Sequence, residues 1–189
     1  MKRLAVFASG SGTNAENIIR YFKQSLKAEI ILILSNKPDA FVLKRANKHK
    51  VPVLVFNREE FYNSSAILEH LHEKKVDLII LAGFLWLVPQ NLLDAYPDRI
   101  VNIHPALLPA YGGKGMYGSR VHEAVIENQD EKSGITIHII DREYDKGSIL
   151  FQANCPVLPD DTPTDLATRI HKLEYQHFPP TIEKYLDQI

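Results

Sequence analysis

Cysteine is almost missing from this chain: Cys155 is the only one among 189 residues. That excludes an intramolecular disulfide and any cluster of thiolate metal ligands, and makes a reducing compartment the natural setting. Charge of one sign is missing too. Lysine plus arginine total 22 against 23 for aspartate plus glutamate, a formal net charge of −1. Such a balance gives no broad basic face for nucleic acid, and no basic cluster is interleaved with aromatics. Long apolar runs are absent as well. The most apolar window, VDLIILAGFLWLVP at 76–89, contains Asp77 and Gly83 and falls short of the roughly 20 residues of a membrane span. After Met1-Lys2-Arg3 the apolar run is about five residues long, where a secretory leader needs roughly 7–15. The expectation is a cytoplasmic protein with no membrane or nucleic-acid partner, acting on small molecules. No repeat, low-complexity tract or linker interrupts the chain, so a single domain over 1–189 is expected. Common catalytic signatures are missing in turn. There is no G-x-S-x-G elbow, His122-Glu123 lacks the second histidine of H-E-x-x-H, and His70 and His72 diverge on a predicted helix, so no metal site is expected.

What is present is an alternation of apolar runs and amphipathic stretches. RLAVFA (3–8), AEIILILS (28–35), VPVLVF (51–56), VDLIILAG (76–83) and RIVNIH (99–104) read as strands. Helical spacing fills 14–25, about 40–49, 64–75 with Ser64 or Ser65 as cap, and 89–95 opened by Pro89. This rhythm predicts an α/β fold, a doubly wound and mostly parallel sheet. From about 130 it changes. GITIHII (134–140) and SILFQANCPV (148–157) are separated only by DREYDKG, too short for a crossover helix, so an antiparallel pair is expected. A last helix starts near 163, with Pro179-Pro180 breaking or restarting it.

Two places invite chemistry. Gly10-Ser11-Gly12-Thr13-Asn14-Ala15 follows the first strand and opens a helix, which is a cradle for an anion in physical terms. It fits the dinucleotide fingerprint G-x-G-x-x-A, but the acid due at the end of the second strand is missing: the chain reads Ser35-Asn36-Lys37. A monophosphate is therefore favoured over NAD, and a tight turn that binds nothing is the plain alternative. The second place is Ile100-Val101-Asn102-Ile103-His104-Pro105. An unpartnered buried amide or imidazole costs about 1–3 kcal/mol. Asn102 and His104 point to one face by strand alternation, at the strand end where open α/β sheets bind ligands. An amide that can donate to an oxyanion beside an imidazole that can move a proton suits attack on a carbonyl. A satisfied polar pair closing the strand is the alternative. Asp145 lies in the turn between the last two strands and has value only if that turn folds back to His104. His138 shares a face with Thr136 and reads most simply as a core histidine. His171 and Glu174 are three apart on the last helix and face solvent by default. The run Gly112–Gly118, with four glycines in seven positions, reads equally as a mobile lid or a surface loop.

Taken in order, S-G-S-G-T-N (9–14), S-N-K (35–37), L-A-G-F (81–84), N-I-H-P-A-L-L-P (102–109) and D-x-G (145–147) resemble the folate-dependent phosphoribosylglycinamide formyltransferases, over nearly the whole chain. The resemblance implies a formyltransferase-type Rossmann-like fold, with a phosphate-binding part over about 1–100 and a folate and catalytic part over about 81–189. It implies transfer of a formyl group from 10-formyltetrahydrofolate, a co-substrate, to the amine of glycinamide ribonucleotide in purine synthesis, without a metal, by a monomer or homodimer. Residue by residue, it implies that Gly12, Thr13 and Asn14 hold the substrate's phosphate. Asn102, His104 and Asp145 form the catalytic trio; the mechanism expected of them has Asn102 donating to the oxyanion, His104 protonated at that stage and acting as acid, and Asp145 orienting it. Arg58 and the segment Leu85, Trp86, Leu87 and Val88 border the folate together with Asn102. Glu174 contacts the ribose, His171 reaches toward the phosphate, and the loop 140–145 wraps the pterin. Trp86 stands where some relatives carry a basic residue. Other formyl-folate enzymes, transferring to methionyl-tRNA or releasing formate, usually carry an extra domain for which 189 residues leave no room.

Overall fold

The computed structural model describes residues 1–141, 145 and 147–189. They form two compact units, residues 1–101 with 186–189, and residues 102–185. The first contains β1 (Lys2–Phe7), α1 (Thr13–Phe22), β2 (Ala28–Ser35), α2 (Phe41–Lys48), β3 (Val53–Val55), α3 (Arg58–Tyr62), α4 (Ala66–Glu73), β4 (Leu78–Leu81) and α5 (Gln90–Ala95). β5 (Ile100–His104) starts in it and ends in the second. The second continues with α6 (Ser119–Glu127), β6 (Lys132–Ile139), β7 (Ile149–Pro156) and α7 (Pro163–Tyr185). The strand order is β3-β2-β1-β4-β5-β6-β7. β1 runs parallel to β2 and β4, and β2 to β3. β6 and β7 are antiparallel, as their short connection requires. No helix among the described residues is long and apolar enough to cross a membrane.

In the first unit the core is built on the strands. Leu4, Val6, Phe7, Ile33, Leu34, Ile79 and Ile80 are each at most 1% exposed, and burying each side chain of that size contributes about 1.5–3 kcal/mol. α1 covers the sheet through Ala15, Ile18, Ile19 and Phe22, a stripe with the helical period. Glu16 links α1 to α2: its carboxylate takes His49 Nε2 at 2.9 Å and Lys48 Nζ at 3.5 Å, and pairs with Arg45. The hydrogen bond from His49, with Arg45 and Lys48 behind it, holds the Glu16 carboxyl down at about 2. A depressed carboxyl adds stability that is complete above its ordinary value and is lost as pH falls through the folded one. Thermal midpoints are therefore expected to fall more steeply between pH 4.5 and about 2 in the native chain than in Glu16→Gln. Parallel curves would remove Glu16 from the account of acid stability.

Several boundaries depart from the sequence expectation. β3 shrinks from six expected residues to Val53–Val55, because it is an edge strand with Val53 and Val55 exposed. α3 was not expected, since five residues carry no periodicity. A capping box closes it, with Glu60 N–H donating to Asn57 Oδ1 and Asn57 N–H to Glu60 Oε2. α6 was not expected either; it buries Val121, His122 and Val125. The largest correction is α7, which runs unbroken through Pro179 and Pro180. Two prolines remove the amide donors to the carbonyls of Tyr175 and Gln176. Both of those residues are exposed, so water can serve their carbonyls. Leu166 and Ile170 before the prolines, and Phe178 and Ile182 beside and after them, are fully buried and pin both halves of the helix.

Candidate active site

In the second unit, Asn102 and His104 lie on one face at the carboxyl end of β5, as alternation requires. Asn102 Nδ2 is 3.0 Å from His138 Nε2. His138 Nδ1 lies 3.1 Å from the Ile139 carbonyl, which can only accept, so this nitrogen carries the ring proton. The other ring nitrogen then accepts, and Asn102 must donate to it. That fixes the orientation of the amide and leaves its second N–H for another acceptor. His138 is fully buried, and burial pushes its imidazole below the ordinary value although Asp145 pulls the other way. Thr136, on the same face of β6, donates to the Ala106 carbonyl at 2.7 Å and accepts from Leu108 N–H at 2.9 Å, which clamps the turn after His104.

His104 is 4% exposed. Its Nε2–H donates to the Tyr111 carbonyl at 2.8 Å. Nδ1 is therefore the basic nitrogen of the neutral ring, 3.8 Å from Asp145 Oδ2. The other oxygen of Asp145 is 3.7 Å from His138 Nε2, and Gly113 N–H donates to Oδ2 at 2.9 Å. Burial lowers the His104 pKa below its ordinary 6.5, with Asp145 and the Tyr111 carbonyl acting in the opposite direction. Burial thus favours the neutral form of the ring, and those two groups oppose it. Tyr111 (φ 55°) and Asp145 (φ 57°) both occupy the left-handed region. For residues other than glycine this conformation costs about 1–3 kcal/mol. Tyr111 is held there by its hydroxyl, which donates to Asp130 at 2.5 Å and accepts from Asn128 at 2.8 Å. Asp145 thus stands between two histidines, within reach of His104. Of the loop 140–145, residues 142–144 lie outside the described residues.

The first unit carries the glycine loop. Gly12 (φ 72°) caps α1, and Glu16 N–H donates to its carbonyl at 2.9 Å. A Cβ at Gly12 would overlap the Val42 side chain and approach its Cα to 2.7 Å. Ser9 is buried and accepts from Leu85 N–H at 3.1 Å, which ties the loop to the segment 85–88. Ser35 closes on the Lys37 backbone through its hydroxyl, so no carboxylate stands in the place of a dinucleotide's acid. Arg58 lies over the rings of Tyr62 (5.3 Å) and Trp86 (5.6 Å). With Glu59, Tyr62 and Asn63 it lines a cavity of about 290 Å³. Leu85 and Leu87 are exposed, Trp86 is half-buried, and Val88 is buried.

On α7, Glu174 belongs to the buried stripe Leu166, Ile170, Glu174, Phe178, Ile182, each four residues from the next, and does not face solvent. His171 does, stacked on Tyr175. His122 enters the sequence reading only as half of an incomplete H-E-x-x-H motif. It is 4% exposed, its Nδ1 has no hydrogen-bond partner among the described residues, and burial together with His171 and His104 pushes its pKa down to about 4. The signal that points to its burial is its place between Val121 and Val125 on the buried face of α6. Cys155 is buried, and burial raises its thiol pKa, away from nucleophilic use. No three His, Cys, Asp or Glu side chains gather as metal ligands among the described residues.

Residues 2–182 match the family described as Formyl transferase. The phosphoribosylglycinamide formyltransferase of Bacillus subtilis is 37% identical over 191 residues, covering 98% of this chain and 95% of that protein. The chloroplastic phosphoribosylglycinamide formyltransferase of Arabidopsis thaliana is 43% identical over 182 residues, covering 91% of this chain. This chain spans 62% of the length of that plant relative. Among solved structures, glycinamide ribonucleotide transformylase 1 from Symbiobacterium toebii superposes with a TM-score of 0.91 at 34% identity, covering 100% of this chain and 89% of that one.

Proposed function

Because the chain belongs to the formyl transferase family, we propose that it moves a formyl group from 10-formyltetrahydrofolate to the primary amine of glycinamide ribonucleotide, a step of purine synthesis. The observation that carries this reading is the arrangement at the end of β5: an amide with a spare N–H beside an imidazole whose Nδ1 faces a carboxylate.

In this reaction the amine adds to the formyl carbon, and a proton must then pass from the amine nitrogen to the departing folate nitrogen. Asn102 donates its free N–H to the oxygen that gains charge in the addition. His138 holds that amide in place by accepting its other N–H. Neutral His104 takes the proton at Nδ1, and the imidazolium so formed faces Asp145, which stabilises it and keeps the ring's orientation until the proton is passed on. Tyr111 fixes the tautomer by taking the Nε2 proton in a hydrogen bond. No covalent enzyme intermediate is required. Gly12, Thr13 and Asn14 hold the phosphate of the ribonucleotide, and Glu174 and His171 contact its ribose and phosphate. Arg58, Leu85, Trp86, Leu87 and Val88 border the folate, the exposed leucines by side chain and buried Val88 by its backbone.

The deciding experiment is a spectrophotometric assay of purified protein with 10-formyltetrahydrofolate, with and without glycinamide ribonucleotide. Formyl loss that depends on the ribonucleotide is expected. Formyl loss without it would mean a hydrolase instead, and no turnover in either case would remove the transferase reading. A narrower check bears on the phosphate. Gly12→Ala puts a Cβ into Val42 and is expected to raise KM for the ribonucleotide about tenfold or more, since charge-assisted N–H contacts are lost. An unchanged KM would contradict the assignment of this loop.

A further inference from the structure

We infer that Arg45 is a positioning residue for the phosphate loop, setting the direction of its peptide groups without touching the substrate. The inference rests on the assignment of Gly12, Thr13 and Asn14 to the ribonucleotide's phosphate.

In a planar trans peptide the C=O of one residue and the N–H of the next point in opposite directions. Three successive carbonyls of the loop are held. Gly10 C=O accepts from Val42 N–H at 3.1 Å, and Gly12 C=O from Glu16 N–H at 2.9 Å. Between them, Ser11 C=O accepts from Arg45 Nε–H at 2.8 Å. With the carbonyls of 10, 11 and 12 tied back, the N–H groups of Ser11, Gly12 and Thr13 are turned away from their anchors. None of those three has a hydrogen-bond partner among the described residues. Two of the anchors are main chain to main chain and survive any side-chain change. The middle one depends on a single guanidinium.

The rest of that guanidinium is occupied. It pairs with Glu16, which also holds Lys48 and His49, and it stacks on the Phe41 ring with Cζ 5.0 Å from the centroid. Arg45 is thus spoken for on three sides, which suits a strut better than a charge that grips a ligand. Gly12 flanks the Ser11–Gly12 peptide and makes its rotation easy. Without Arg45 that peptide is free to turn its carbonyl toward the anion, replacing an attraction by a repulsion.

The test is steady-state kinetics of Arg45→Met and Arg45→Lys, with inorganic phosphate as a competitive inhibitor against glycinamide ribonucleotide. For Arg45→Met, KM for the ribonucleotide and Ki for phosphate are expected to rise together by about tenfold, with kcat and the KM for 10-formyltetrahydrofolate within about twofold. Arg45→Lys should fall between, since one ammonium cannot serve Ser11 and Glu16 in the same fork; it also provides the reading if the methionine variant fails to fold. A fall in kcat with unchanged KM, or equal changes in both KM values, would overturn the inference. Gly12→Ala separates the two levels. If it weakens ribonucleotide binding while both Arg45 variants bind normally, the positioning role is wrong and the phosphate loop stands. If neither Gly12 nor Arg45 variants alter KM or Ki, the phosphate assignment itself is wrong.

Discussion

Asn102→Ala is expected to lower kcat about 100- to 1,000-fold, the usual cost of removing one oxyanion donor, with a much smaller change in either KM. The amide has two N–H groups, and one is committed to His138. In the proposed reaction the other serves the developing oxyanion, where its contribution is confined to the transition state, so the loss falls on kcat. The same substitution leaves His138 Nε2 without its donor in a fully buried position, so some fall in thermal midpoint should accompany it. Comparing kcat at temperatures well below both midpoints separates the two effects. A kcat within about tenfold of the native value would remove Asn102 from the chemistry.

Asp145→Asn is the second large effect. Asn can still accept from Gly113 N–H, so the turn is retained, but the negative charge is gone. Asp145 raises the pKa of both His104 and His138 against the burial that lowers them. Removing it therefore lowers both. If neutral His104 is the base, rate rises with pH as His104 loses its proton, and the acid limb of the pH profile tracks the His104 pKa. In Asp145→Asn that limb should move to lower pH, while kcat falls about 100- to 10,000-fold because the imidazolium has lost its stabilising partner. Measuring kcat/KM across pH 4–9 reads both. A limb that stays in place would mean that the titrating group is not His104.

The strand ends were legible because they break a rule. In a buried apolar strand, Asn102 and His104 at alternate positions have no packing reason to exist, and polar atoms there demand partners. Asp145 obeyed every local rule, since aspartate is ordinary in a turn, and its value depended on a reach to His104 that no local pattern shows. His138 is fully buried with both ring nitrogens hydrogen-bonded, as the core reading expects. Its place beside Asn102 depends on β6, 36 residues further along the chain. Asn57 and Glu60 spell a capping box, but α3 behind it is only five residues long and carries no apolar period to mark a helix. The break expected at Pro179-Pro180 reflects local backbone cost, which the fully buried neighbours Phe178 and Ile182 override. Arg45 had no legible role: the contact with Ser11 spans 34 residues and joins a side chain to a main-chain oxygen, which no periodicity records.

Trp86 is the only tryptophan in the chain. It sits in the segment proposed to border the folate, with the Arg58 guanidinium on its ring and Phe56, Phe61 and Phe84 around it. All indole emission from this protein therefore originates at one address, next to where a strongly absorbing pterin would arrive. On the proposed placement of the folate, Trp86 is an intrinsic optical gauge of folate occupancy, read without a label and without turnover, and unclouded by signal from any other indole.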